Sequence, residues 1–397
     1  MTFSLNRLWL SGFMLAATTV FAFKCWLAFT TNGAADITVW KDFLFHVKQC
    51  GVCVYQTGGM MQYPGGTRLN PFNHPPFIIH FLRFVDLVCS LTGLRFETAL
   101  RVITSSVDLG SAIVVYQLMK RDGVFQPWLF LLYILAPATI IISGYHGNTD
   151  TLMIFFVLLA ALLIHRPVLA GSVFGIALSI KAVPIIFIPV FLLYLNRSRR
   201  WFVATAISIV LVLSLPFIFQ TPIIVLRAVL GYGGFPGRWG WTQALFATIG
   251  PGDLFRLIAR LGAYLLLGVV AILAIRMNRI AKPPIYFQLG FTAFFFLAFT
   301  PAWGTNYLPW LDPFPVILGF GPSLLYYISS GALLSYLYFI RDDESTRLMG
   351  ICWITILIVT WAFIRKLKDL EKTKLQAMGE STKLMTPASK RSPESLS

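Results

Sequence analysis

The sequence predicts an all-α polytopic membrane protein with about twelve transmembrane helices, plus amphipathic helices lying in the membrane plane within its first outer loop. Three observations predict this. Hydrophobic residues make up 57% of the 397-residue chain and charged residues only 12%, about half the ~25% usual in soluble domains. Mean hydropathy is +0.74. The apolar residues are also gathered into runs bounded by charges, proline or glycine, several of them near the ~20 residues that a helix needs to span a bilayer. A soluble globule would expose such runs to water and a disordered chain would have the opposite composition, so both are excluded. The formal charge of +16, from 32 basic and 16 acidic residues, would suit a nucleic-acid binder. Much of the excess, however, lies in short loops and the C-terminal segment. There the positive-inside rule and anionic headgroups explain it, and no nucleic-acid partner is expected.

The first run, 9–29, follows Arg7 and mimics a signal peptide, but further spans come directly after it, so it reads as a retained helix. The next spans are expected at 98–118, 124–143, 150–164, 167–181, 184–195, 201–219, 258–277, 284–300, 306–320, 323–340 and 347–364. Those shorter than ~17 residues should be broken, tilted or buried helices. The basic loops at Lys120 and Arg121, Arg166, Arg197 to Arg200 and Arg276 to Lys282 share one side only if residues 75–92 do not cross. That segment mixes Pro75, Pro76, His80, Arg83 and Asp86 with apolar residues, as does 38–48 with Lys41, Asp42, His46 and Lys48. Both suit in-plane helices. The first outer loop then runs from 30 to 97 and the second from 220 to 257, with the acidic turn from Arg341 to Arg347 outside and both termini in the cytoplasm. Residues 1–364 form one transmembrane domain, while 365–397, basic and without aromatics, read as a disordered lipid-facing tail. The five cysteines are too scattered for a disulfide framework. Cys50 and Cys53 form one C-x-x-C, which could be a zinc site, a local disulfide or, as the favoured reading, two inert thiols.

Carboxylates are scarce enough to consider one by one. Asp122 sits in a basic loop and should be solvated, while Asp86 and Glu97 lie near Arg83, Arg95 and Arg101 and should be paired. Asp108 falls inside a span, where a charge is costly and marks either function or a structural pair with Arg101 two turns away. Lys24 is a second charge inside a span. The remaining outer-face groups carry the chemistry. Asp36 directly follows the first span, where partial desolvation should raise its basicity, and it is the first choice for a general base. Asp42 and Asp150 stand behind it, although Asp150 could simply cap the next helix. Lys181 lies on a proline-broken helical hairpin and suits a phosphate contact, with snorkelling to headgroups as the simpler alternative. Arg238 sits in the glycine-rich stretch 231–241 beside Trp239 and Trp241, where a loop could close with arginine on phosphate and an aromatic ring on a sugar or prenyl chain. No Walker loop is present. His46, His74, His80 and His146 fall outside and His165 inside, which points to an outer site.

The arrangement resembles the GT-C superfamily of integral-membrane glycosyltransferases. The resemblance rests on Asp36 after the first helix, on Asn70 to Phe77 with its Pro-Pro element, and on the outer turn His146-Gly147-Asn148-Thr149-Asp150. It also rests on the Lys-x-x-Pro hairpin at Lys181 to Pro184 and on Phe299 to Trp310, which is similar to a late motif ending in Gln-Tyr-Leu-x-Trp. It covers roughly residues 10–315. The resemblance implies a polyprenyl-phosphate-linked sugar donor, with a hexose or mannose most in keeping, and a lipid, glycan or protein acceptor at the extracytoplasmic or lumenal face of a bacterial plasma membrane or endoplasmic reticulum. Asp36 would be the base of an inverting displacement. Lys181 and Arg238 would hold the phosphate, and His74, His146, Asn148, Trp239 and Tyr307 would orient substrate. No Asp-x-Asp follows the first span, so neither a divalent metal nor another cofactor is expected. The competing readings are a transporter or flippase, a ligase or polymerase of lipid-linked saccharides, and a non-catalytic scaffold. No internal duplication favours the transporter.

Overall fold

The computed structural model describes residues 2–63, 66–231, 234–340 and 345–385. The chain runs back and forth between two ends of a helical bundle, and every expected functional group is drawn from one of them. Helix α1 (Thr2–Thr30) is followed by α2 (Asp36–Cys50), the short α3 (Val54–Thr57), and a hairpin of β1 (Gly59–Tyr63) and β2 (Gly66–Asn70), then α4 (Phe77–Thr92). The two amphipathic segments of the first loop are therefore helices, α2 and α4, packed on each other. The hairpin between them was not expected. It pairs Gly59 with Asn70 in antiparallel register, and Gly58, at φ +63°, lies where a Cβ would meet the Asn70 carbonyl at 2.6 Å. Cys50 and Cys53 are joined as a disulfide just before it, the local-bridge reading rather than the favoured free thiols. Gly65 lies outside the described residues.

Helix α5 (Phe96–Arg121) packs along α1. The buried Arg101 guanidinium donates to the carbonyls of Ala28 (2.8 Å) and Thr31 (2.7 Å) and to Thr31 Oγ1 (2.7 Å). A helix C-terminus leaves carbonyls unpaired and partially negative, and a buried cation answers both. Arg101 is thus not the partner of Asp108. Asp108 pairs with Lys24 of α1 at 3.0 Å, and both side chains are 6% exposed. Asp86 pairs with Lys48 and Glu97 with Lys41, both at 2.8 Å. Asp122 is mostly buried and paired with Arg121 rather than solvated.

The third pass is α6 (Pro127–Ile134), α7 (Pro137–Thr139) and a π-helical segment, Ile140–His146. Pro137 interrupts the α-helical ladder, and π turns are rare and concentrate at functional sites. Helices α8 (Asp150–Leu162) and α9 (Pro167–Ile180) form the next hairpin. A 3-10 turn (Val183–Phe187) and α10 (Ile188–Leu195) lead to a reversal at Asn196 and to α11 (Arg199–Ile218). Tyr194 lies near Lys282 at the far end and Phe217 against His80 at the site end, so α10 and α11 run opposite ways. Beyond α12 (Pro222–Leu230) and α13 (Gly240–Ile249) come α14 (Asp253–Ile280) and α15 (Ile285–Phe299), the latter buried on nearly all sides.

Residues 306–320, expected as a helical span, are instead two 3-10 turns, Thr305–Trp310 and Pro315–Ile317, in an otherwise irregular run that descends antiparallel to α15. Pro309, Pro313 and Pro315 each remove an amide donor from this run, which works against a continuous α-helix. Its carbonyls are met by side chains: Tyr326 donates to Leu308 (2.6 Å), Tyr327 to Asp312 (2.7 Å) and Tyr286 to Pro313. Non-helical backbone at membrane depth is tolerated only when protein surrounds it, and residues 308–317 are all buried. Helix α16 (Phe320–Ser335) with a short π segment (Tyr336–Ile340), and α17 (Ser345–Met385), complete the chain. The expected tail is therefore helical through Met385. The acidic turn at 341–344 and residues 386–397 lie outside the described residues. Among those described, seven helical stretches are long and apolar enough to cross a membrane, with three shorter apolar helices at Asp150–Leu162, Pro167–Ile180 and Ile285–Phe299. The chain is an all-α polytopic integral membrane protein apart from the small hairpin.

Candidate active site

A cavity of about 580 Å³ opens at the end of the bundle where α1 stops, α2 and α8 start and α9 breaks. Asp36, His74, His146, Asn148, Lys181, Arg238 and Tyr307, seven of the ten residues expected from the sequence, line it. This volume falls within the ~300–1,000 Å³ usual for small-molecule sites.

Asp36 is the first residue of α2. It reaches His146 because the turn after α1 packs flat on the π-helical segment. Gly33, at φ +79°, lies where a Cβ would be 2.9 Å from the Tyr145 carbonyl, and Gly147, at φ +76°, lies where one would strike Ile37 at 2.7 Å. Asp36 Oδ2 accepts from His146 Nε2 at 2.8 Å, and its side chain remains 32% exposed. No described residue engages Oδ1. Tyr338, in the π segment that follows α16, bonds His146 Nδ1, and its hydroxyl lies 3.1 Å from Thr305 Oγ1. With Asp36 ionised, the network assigns the proton to Nε2, so Nδ1 accepts from the tyrosine. Burial pushes the Asp36 carboxyl up, but His146 and Lys181 together outweigh it and hold the group below its ordinary value. This reverses the expectation that desolvation would raise its basicity. The result is a carboxylate ionised at neutral pH with one oxygen fixed and the other open.

Asp150 is placed quite differently. It is fully buried at the start of α8, and it does not cap that helix. Lys181 Nζ lies 2.6 and 2.8 Å from its two oxygens, Trp310 Nε1 donates at 2.7 Å and Asn306 Nδ2 at 2.5 Å. Both of its oxygens are taken up by these groups, and Asp150 does not line the cavity. It anchors Lys181, whose ammonium also lies 5.2 Å from the Tyr307 ring and 5.6 Å from Trp310, two rings that stack on each other. Asp42 is also outside the cavity. Its Oδ2 accepts the Met60 amide at 2.9 Å and ties the hairpin to α2.

His74 is buried against Trp40, with ring centroids 5.1 Å apart. Burial, with Lys181 adding, pushes its pKa down to about 3, so it is neutral. Arg238 is exposed at the rim; Tyr232 and Gly233 of its loop lie outside the described residues. Trp239 does not line the cavity. It is fully buried, donates to the Leu297 carbonyl at 2.9 Å and stacks at 4.7 Å on Trp303, which does line it. His46 and His80 turn elsewhere, to Gln49 and the Leu213 carbonyl. No cluster of three or more His, Cys, Asp or Glu side chains suited to a metal ion occurs among the described residues.

Sequence reasoning missed Tyr338, Thr305, Asn306, Trp310 and Trp303. Four of these fall in the Phe299 to Trp310 motif and could have been taken from it residue by residue. Tyr338 carried no signal, being one aromatic in an apolar span. The chemistry available is clear. A half-open, ionised carboxylate can accept a proton from a hydroxyl, and cations beside it can meet an anion. Comparison with curated proteins gives no match. The sequence model of Glycosyltransferase family 87 matches residues 72–301, more than half of the chain, and the chain therefore belongs to that family of glycosyltransferases.

Proposed function

We propose that this glycosyltransferase moves a hexose, mannose in the first instance, from a polyprenyl-phosphate donor to an acceptor hydroxyl on a lipid, glycan or protein, with a GT-C-like architecture. The observation that carries the reading is Asp36: ionised, fixed on one oxygen by His146, open on the other, and set in a cavity shared with Lys181. The acceptor oxygen attacks the anomeric carbon as Asp36 takes its proton. The bond from that carbon to the phosphate oxygen breaks, and the electron pair leaves with the phosphate. Attack opposite the leaving group inverts the anomeric centre. A lipid phosphate leaves readily, so the protein's part is charge stabilisation and base catalysis rather than strong acid catalysis. Lys181, with one N–H left after its two contacts to Asp150, and Arg238 at the rim are the phosphate ligands. His146 and Asn148 hold the reacting groups in place, with Tyr307 as an aromatic wall.

The basic residues gathered at the far end of the bundle support an orientation with the site on the extracytoplasmic or lumenal face and both termini in the cytoplasm, in a bacterial plasma membrane or the endoplasmic reticulum. The test is to incubate the purified protein with radiolabelled polyprenyl-phosphate sugars and acceptor-containing membranes. Asp36→Asn should fold normally yet lose transfer by about 10²-fold or more. Near-normal turnover in that variant would remove Asp36 from the base role. Sugar movement across sealed vesicles without bond cleavage would favour a transporter instead.

A further inference from the structure

Helix α15 ends at Phe299 because the next residue, Thr300, precedes Pro301. A residue before proline is pushed out of the helical region, and Thr300 is extended, with ψ 137°. Proline also brings no N–H to the Leu297 carbonyl four residues back, and the carbonyls of Ala298 and Phe299 lose their helical donors as the chain turns away. Three indoles take the place of those amides. Trp239 Nε1 donates to Leu297 at 2.9 Å, Trp353 Nε1 to Ala298 at 2.8 Å and Trp241 Nε1 to Phe299 at 2.8 Å. Thr242 Oγ1 lies 3.0 Å from the Pro301 carbonyl. Trp353 belongs to α17, but the other three side chains come from the stretch 239–242, which Arg238 directly precedes. The other flank of Arg238 is tied as well. Pro236 forms an isolated antiparallel bridge with Ala302, and the Gly237 amide donates to Thr242 Oγ1 at 3.2 Å. Gly240, at φ +54°, lets the chain pass Trp353, whose Nε1 a Cβ would meet at 2.7 Å. The backbone on both sides of Arg238 is thus joined to the end of α15, while its side chain is exposed at the cavity rim. The stretch expected to close over a ligand is a bracket here rather than a lid.

We propose that Trp239, Trp241 and Trp353 are positioning residues for phosphate binding. By capping α15 they hold the backbone at Arg238, so that its guanidinium stands at the mouth of the cavity that Lys181 also lines. The donor's phosphate then meets a cation whose main chain is already in place, and the cost of ordering that segment is not charged to binding. The proposal rests on the reading of Arg238 as a phosphate ligand. It assigns the indoles no contact with substrate: they act through the backbone that carries the arginine.

The test is a double-mutant cycle read by equilibrium binding of farnesyl phosphate to the full-length protein in nanodiscs, with farnesol as the phosphate-free reference. Trp241→Phe and Trp353→Phe each delete one N–H and keep an aromatic ring. Each is made alone and together with Arg238→Gln, and Trp239, which is fully buried, is left intact. Arg238→Gln alone should weaken farnesyl phosphate by about 10-fold or more. Each tryptophan variant should weaken it by about threefold or more when Arg238 is present and by less than about 1.5-fold when Arg238 is already gone, because the two changes then act on one contact. Farnesol binding should be the same in all variants. Should both tryptophan variants fail to fold, Thr242→Val, which removes the contacts to Pro301 and Gly237, takes their place in the same cycle. Equal loss in both backgrounds, or no loss in either, would overturn the positioning role and leave Arg238 as a ligand. Unchanged farnesyl phosphate binding in Arg238→Gln would instead overturn the reading of Arg238 on which the proposal rests. Wild-type binding of farnesyl phosphate no tighter than that of farnesol would overturn the lipid-phosphate donor itself.

Discussion

Asp36 and Asp150 are both first residues of helices, both at the same end of the bundle and both within reach of Lys181, yet they have opposite environments. Asp150 is saturated by an ammonium, an indole and a carboxamide and is sealed from the cavity. Among the described residues Asp36 has one hydrogen-bond partner, His146, and its other oxygen is not engaged. The difference teaches that a carboxylate's capacity as a base depends less on its charge than on whether a lone pair is left for the substrate. Asp150 has spent its acceptor capacity on fixing Lys181; Asp36 has kept half of its own.

The comparison can be broken most directly at Asp150. Asp150→Ala removes one partner of a buried ion pair, which should destabilise the protein by about 3–5 kcal/mol, read as a large drop in detergent thermal-unfolding midpoint. A variant as stable as wild type but inactive would make Asp150 the reacting group after all. The second test concerns His146. The Asp36 carboxyl is held below its ordinary value, so it is ionised at neutral pH and turnover should fall only as pH drops below the usual carboxylate range, near 4. By the same sign, whatever stability its depression contributes is present above that range and is lost as pH falls through the folded value. His146→Gln removes the largest stabiliser of the charged form, so the acid limb attributable to Asp36 should move upward in a pH–rate profile. An unmoved limb would show that His146 does not set the protonation of Asp36. The smallest effect is expected at Asp42→Ala, which frees one hairpin amide. It should cost about 1 kcal/mol and change transfer less than threefold by steady-state assay, because Asp42 is not in the cavity.

Most passes of the chain were legible because charges, prolines and glycines punctuate the apolar runs, and Asp36, His146 and Lys181 stood out because polar groups are scarce. Residues 306–320 belong to the short spans expected to be broken or buried, and they are both; the break goes further than a kinked helix because Pro309, Pro313 and Pro315 each remove an amide donor. Arg101 was legible as a charge but not as the C-terminal partner of α1, since that contact joins residues 70 apart in sequence. Tyr338 was illegible for another reason. In a chain with 15% aromatics, a ring that faces the site reads the same as one that fills the core.

The irregular pass between α15 and α16 also bears on assembly. Its carbonyls rely on tyrosine hydroxyls from α15 and α16, and lipid offers no substitute. A segment of this kind cannot enter the bilayer alone, so it is expected to go in with its neighbours as one unit during synthesis. It also carries Asn306, Tyr307 and Trp310. The pocket therefore gains this wall only once α16 has been made, and a nascent chain halted before that point should hold Asp36 and His146 without a closed site around them.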